Sequence, residues 1–221
     1  MLTTLILVRH GETEWNKARR FQGHLDSPLT RLGLAQAAQA AERLLTEQVS
    51  AVYSSDSGRA MQTAGAITKK LGLEITADLR LREMDVGSWS GLNDQEIKAT
   101  HLAEWEAWQH DHAMARGGGE NQLQVQERGV AALQTIATAH PGEVVVLVSH
   151  GGTIKSIVAW VMGLPLDCWP NFRGPGNCNL SYLDYIQATH RFRLLNYNVP
   201  ATGVMPLADD LFNEESQETK G

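Results

Sequence analysis

The sequence predicts a layered α/β fold built on a mostly parallel sheet, and three observations carry that expectation. Leu5-Ile6-Leu7-Val8, Ala51-Val52-Tyr53-Ser54 and the run from Val144 to Ser149 are short and apolar, without polar alternation. Strands of that kind are covered on both faces, as in parallel sheets. Helical patterns lie between them, giving a β-α-β-α order. All three runs end in polar residues, at the strand ends where open α/β sheets bind their ligands.

The elements follow in order. Residues 5–8 are the first buried strand. Thr30 is the N-cap of an Ala- and Leu-rich helix over about 31–46. The second strand is 51–54. Asp56 or Ser57 begins the next helix, which reaches Leu71 and stops at Gly72. A short strand precedes Glu83. Residues 93–113 are polar, Trp-containing and helical in pieces. A longer helix over 121–139 ends at His140-Pro141-Gly142. After the strand 144–149, Gly152 or Thr153 opens a helix that ends near Gly163. Residues 179–186 and 191–197 read as a strand pair at a sheet edge. From Ala208 the chain turns acidic and polar, as a loose tail does.

The chain has 221 residues and a formal net charge of −6, with 43% hydrophobic and 20% charged side chains. That is a soluble globular composition, of a length that fits one domain or at most two small ones. Its negative balance argues against a nucleic-acid partner, which demands a basic face. Residues 207–221 carry −4 of the −6, so the chain total says little about the field at a local cationic site. No apolar run approaches the length needed to span a bilayer. The N-terminal stretch has no basic region or cleavage site, so a cytoplasmic protein with free Cys168 and Cys178 is expected.

Two histidines and two arginines converge on one rim of this sheet. Arg9 and His10 follow the first strand, Arg59 follows the second, and His150 follows the third, with Gly151 and Gly152 after it. Taken singly, each fits a structural salt bridge or a satisfied core histidine. Together they suit phosphoryl transfer. Arginine forks match phosphate oxygens, and a neutral imidazole can attack phosphorus. A second histidine, protonated in the complex, adds charge to the transferring group. Glycines at a helix start let backbone amides approach an anion. Glu83 is the candidate proton donor, a role that needs an elevated pKa, which a nearby phosphate supplies.

Other phosphate chemistries lack their residues. Six positions after Cys168 and Cys178 stand Gly174 and Asp184, so no Cys-to-Arg phosphate loop exists. There is no nucleotide P-loop and no His-Glu-x-x-His. His110-Asp111-His112 reads as a solvated helix face rather than a metal site. Arg116-Gly117-Gly118-Gly119-Glu120 reads as a loop bordering the site.

These residues resemble the histidine phosphatase superfamily, which includes the cofactor-dependent phosphoglycerate mutases. Leu7-Val8-Arg9-His10-Gly11-Glu12-Thr13 is similar to its Arg-His-Gly signature. Phe21-Gln22-Gly23 with Asp26-Ser27-Pro28, Ser54-Ser55-Asp56 with Arg59, Leu81-Arg82-Glu83, Gly118-Gly119-Glu120 and Ser149-His150-Gly151-Gly152 follow in the family's order. The resemblance spans the chain to about residue 200. It implies His10 as the nucleophile, with Arg9, Arg59 and His150 clamping the phosphoryl oxygens and Glu83 as acid and then base. It also implies Asn16, Gln22, Gly23 and Gly151 as the rest of the phosphate pocket, with no metal and no cofactor. The implied fold is a three-layer sandwich, helices on both faces of the sheet, with a helical insertion at about 85–120. On this reading 1–206 is one domain and 207–221 a dispensable tail.

Departures point to the phosphatase branch. In the mutases the glutamate precedes an Arg-His-Tyr-type segment, whereas here Met84-Asp85-Val86-Gly87-Ser88-Trp89 follows. Hydrolysis of small phosphomonoesters, phosphoserine or phosphoglycerate-like, is therefore expected. A mutase and a catalytically inactive binding module are the rivals. Trp15, Trp89, Trp105, Trp108 and Met84 are candidates for the pocket mouth or, equally, for core packing. Lys98, Arg116 or Arg82 could meet a substrate carboxylate. The edge pair near 179–197, with Trp160 or Trp169, is a candidate homodimer surface.

Overall fold

The computed structural model describes residues 1–111 and 113–202. The acidic tail and His112 of the His110-Asp111-His112 run lie outside the described residues. The elements are β1 (Leu2–Arg9), α1 (Glu14–Lys17), α2 (Arg31–Leu44), β2 (Ala51–Ser54), α3 (Gly58–Leu71) and β3 (Ile75–Ala77). Then come α4 (Asp94–Thr100), α5 (Leu102–His110), α6 (Gln122–Ala139), β4 (Val144–Ser149), α7 (Gly151–Val161), β5 (Leu180–Ile186) and β6 (Arg191–Val199).

One six-stranded sheet runs in the order β3-β2-β4-β1-β5-β6. The strands β1, β2, β3 and β4 are mutually parallel, while β5 and β6 add an antiparallel edge. The register pairs Arg9 with Ser149 and Ser54 with Val148, so the three polar strand ends finish level with one another.

Period-two geometry divides the apolar strands between two cores. Leu5 and Leu7 face one side with Val145, Leu147 and Leu183, under α6 and α7. Ile6 and Val8 face the other with Val146 and Val148, under α2 and α3. Leu5, Ile6, Leu7 and Val8 are all sealed from solvent, each contributing roughly 1.5–3 kcal/mol of burial. This is the three-layer arrangement expected.

Local signals account for most boundaries. The Thr30 hydroxyl caps α2 by accepting from the Gly33 N–H at 3.0 Å. Gly72 ends α3 in the left-handed conformation, φ 71°. The strand expected just before Glu83 ends earlier, at Ala77. The Asp78 carboxylate accepts from the Arg80 N–H and turns the chain into a 3₁₀ segment over Leu79–Leu81. The insertion has its own core, in which Met84, Val86, Trp89, Ile97 and Val125 pack with Phe21, Trp105 and Trp108.

Candidate active site

A cavity of about 190 Å³ opens over the ends of β1 and β4. Arg9, His10, Asn16, Gln22, Gly23, Arg59 and Glu83 all line it. Seven of the nine expected site residues thus meet at one place.

His10 sits just past β1, 3% exposed. Its Nδ1 lies 2.8 Å from the Gly11 carbonyl. A carbonyl oxygen only accepts, so Nδ1 carries the proton and donates. In the neutral ring that leaves Nε2 with a free lone pair. Burial, with Arg9 and then Arg59 adding positive charge, holds His10 well below the usual histidine value; the Gly11 bond opposes this. The free protein therefore presents a neutral imidazole.

His150 begins α7 and does not line the cavity wall. It is fully buried, its ring centroid 5.1 Å from that of His10. Its Nε2 bonds the hydroxyls of Ser55 at 2.9 Å and Ser57 at 3.2 Å. Its Nδ1 has no hydrogen-bond partner. Burial, then the charges of Arg59, His10 and Arg9, lowers its pKa well below the ordinary value. An anion over His10 would oppose the positive charges at both rings and favour their protonated forms.

Arg59 is fixed by its neighbours. Its guanidinium donates to the carbonyls of Leu25 (2.8 Å) and Gly23 (2.9 Å) and to Asp26 Oδ1 (3.0 Å). It thereby pins the loop that carries Gln22, whose buried Oε1 has no partner. Gly23 is required there: its φ is +54°, and a Cβ would lie 2.8 Å from Val86. Asn16 holds its Oδ1 toward the Thr13 N–H and Asn177 Nδ2, leaving its own amide N–H groups for a ligand.

Glu83 lies against the start of α7. Its Oε2 accepts from the Gly152 N–H at 3.1 Å, and its Oε1 from the N–H groups of Met84 (2.9 Å) and Thr153 (3.2 Å). Only glycine permits this approach, because a Cβ on residue 152 would stand 2.6 Å from Oε1. Gly152 rather than Gly151 therefore lines the cavity; Gly151 packs against the Arg9 side chain.

Several contributors lie outside the set expected from the sequence. Arg128 of α6 donates to the carbonyls of Arg80, Arg82 and Glu83 and to both oxygens of Glu120. It fastens the Glu83 loop to the scaffold. Ser55 and Ser57 hold His150. Lys155 lines the cavity, and its spacing from Gly151 and Gly152, one helical turn on, was a usable signal.

The aromatic residues sort clearly. Met84 and Trp169 line the cavity. Trp89 is sealed in the insertion core, its ring 5.7 Å from Trp105 and 5.8 Å from Trp108. Trp169, at 2% exposure, offers no outer surface, whereas Trp160 is 37% exposed. Of the three cations considered for a carboxylate, Arg116 lines the cavity. Lys98 stacks on Trp105, and Arg82 is bound to Asp56 at 2.5 Å. Burial pushes the Cys178 thiol up to about 12, so it is no thiolate. Among the described residues no three His, Cys, Asp or Glu side chains are grouped to hold a metal, and no helix is long and apolar enough to cross a membrane.

Known proteins resemble this chain over most of its length. Residues 5–198 match the histidine phosphatase superfamily (branch 1). A glucosyl-3-phosphoglycerate phosphatase from Mycolicibacterium vanbaalenii is 38% identical over 182 residues, 79% of this chain and 81% of that protein. A probable phosphoglycerate mutase GpmB from Proteus mirabilis is 39% identical over 186 residues, 81% of this chain and 83% of that protein. The structure of a mycobacterial glucosyl-3-phosphoglycerate phosphatase with VO3 superposes with a TM-score of 0.80 at 35% identity, covering 88% of this chain and 98% of that one.

Proposed function

The chain belongs to the histidine phosphatase superfamily, and we propose that it hydrolyses small phosphomonoesters through a phosphohistidine formed on His10. The observation that carries this reading is the tautomer of His10. Its Nδ1–H is spent on the Gly11 carbonyl, so Nε2 is a neutral nucleophile facing a cavity that Glu83 also lines.

In the first step Nε2 attacks phosphorus and the ester P–O bond breaks. Protonated Glu83 gives its proton to the leaving alkoxide oxygen. Arg9 and Arg59 bind the equatorial oxygens, with Asn16 and the Gln22-Gly23 segment beside them. His150, protonated once the dianion is bound, adds charge at the transition state. In the second step Glu83, now a carboxylate, takes a proton from water, which attacks phosphorus and breaks the P–N bond. Inorganic phosphate leaves, and His10 is neutral again. These side chains supply the charge that a metal supplies elsewhere, so the reaction needs none.

The relatives named as glucosyl-3-phosphoglycerate phosphatases support a substrate of the phosphoglycerate kind. Acid quench of enzyme turning over phosphate-labelled substrate should trap label on the protein. Label on a His10→Ala variant, or activity abolished by a chelator, would overturn the mechanism. The relatives named as mutases give a second reading, transfer between hydroxyls. Incubation with 3-phosphoglycerate separates the two, with free phosphate expected and 2-phosphoglycerate the contrary result.

A further inference from the structure

We propose that Arg116 and Lys155 form a second anion site in this cavity, selecting phosphomonoesters that bear a further carboxylate or phosphate. The inference rests on the phosphatase reading above and names the substrate class it implies.

The cavity's cations differ in how they are neutralised. Arg20 forms a two-point pair with Glu96, at 2.6 and 2.9 Å. Arg59 is paired with Asp26. Arg116 and Lys155 also line the cavity, yet among the described residues neither has an ion pair or a side-chain hydrogen bond. The carboxylate that Arg116 feels is that of Glu83, whose two oxygens already accept from the Met84 N–H and from the start of α7.

Both cations are nonetheless held in place. The Arg116 guanidinium stacks 4.6 Å from the Trp108 ring centroid, and Lys155 Nζ sits 5.1 Å from that of Phe172. Aromatic faces fix a cation's position without neutralising it. Arg116 Nε is also buried without a hydrogen-bond partner. Burial lowers the Lys155 pKa, and the charge of Arg116 lowers it further. Two uncompensated cations in a confined space are costly. A ligand anion between them offsets that cost, and the fork of Arg116 suits carboxylate or phosphate oxygens. The apolar wall of Trp169 and Met84 faces the carbon skeleton that joins the two anionic groups.

The test is calorimetric, on the His10→Ala protein, with 3-phosphoglycerate, glycerol 3-phosphate and propane-1,3-diol bisphosphate as ligands. At least one ligand with a second anion should bind about tenfold or more tightly than glycerol 3-phosphate. Whichever of the two shows the larger gain identifies the anion. Adding Lys155→Met or Arg116→Met should bring the Kd ratio toward one. A ratio is read within each variant, so a partly folded sample does not distort it. Ratios near one in the parent, or ratios that survive both substitutions, overturn the proposal. Turnover of simple esters by the wild-type enzyme without such ratios would leave the phosphatase reading standing alone. The ratios without turnover would leave the anion site standing alone.

Discussion

The floor of the cavity is built by strand ends, whereas one wall, with Glu83, Met84, Val86, Arg116 and Gln122, comes from the insertion segment and its flanks. On the floor, His10 and His150 follow β1 and β4 directly, and both strands are locked in register within the sheet. Their side chains are placed by backbone that cannot shift without disturbing the core. The wall has no such backbone. Glu83 is held by Arg128 and the amides of α7, and Arg116 by a tryptophan from the insertion core. The difference separates two tasks. A nucleophile needs fixed geometry, which sheet ends supply. Selection among substrates needs adjustable side chains, which a loop held by a few contacts supplies.

That division can be broken experimentally. His10→Ala should cost the most, lowering turnover by about 10⁴-fold or more on every substrate, measured as phosphate release. A loss of only a few-fold would mean that the floor does not carry the chemistry. Glu83→Gln should cost roughly 10²- to 10⁴-fold on alkyl phosphates. It should cost much less on p-nitrophenyl phosphate, whose leaving group needs no proton. Equal losses on both esters would remove Glu83 as the acid. Arg128→Met touches neither reactant, but it strips charged hydrogen bonds from three carbonyls and from Glu120. Urea unfolding should show a loss of about 2–3 kcal/mol. Turnover of alkyl phosphates should fall more than that of p-nitrophenyl phosphate, because Glu83 loses its anchor. Unchanged stability would show that the wall is held by other means.

The same division explains what the sequence revealed. The floor was legible because a buried strand announces itself as an apolar run, and the residue after it must stand at the sheet's end. Arg9, His10, Arg59 and His150 could therefore be placed from order alone. Glu83 was found through its motif, while the strand expected before it ends at Ala77, because Asp78 caps a turn that apolar patterning does not show. Arg128 was invisible because its work is to bond carbonyls some 45 to 48 residues away, and helix periodicity carries no sign of that. The tryptophans illustrate the limit of composition. Trp89, Trp105 and Trp108 pack on one another, while Trp169, read as a surface residue, lines the cavity. Nothing in a tryptophan's position along the chain separates those outcomes.

Floor and wall should also titrate apart, and this is the smallest effect expected. His10 and His150 are buried and lie well below their ordinary value near 6.5 in the folded protein. A histidine lowered by folding binds fewer protons in the native state than in the unfolded one. Its neutral form is therefore favoured at high pH, and stability is lost as pH falls below the unfolded value. Between about pH 6.5 and 5.5 the floor should lose about 1 kcal/mol for each histidine. The wall follows the opposite kind of group. Burial pushes Glu120 up, but the bonds from Arg128 and the Asp85 N–H outweigh it and hold the carboxyl below its usual value of 4.5. An acid lowered by folding stabilises above its unfolded pKa, and that stability is lost only as pH falls below about 4.5 and through the folded value. Thermal melts from pH 7.5 to 3.5 should thus show two declines. Replacing both histidines with asparagine should flatten the upper one and leave the lower; Arg128→Met should leave the upper and reduce the lower only in part, because arginines also hold Asp56, Asp78 and Glu96 below their usual values. If the upper decline survives the histidine replacements, its source is not the floor. Saturating inorganic phosphate should also shrink the upper decline, because bound anion raises both histidines toward the unfolded value and removes the difference in proton uptake that drives it.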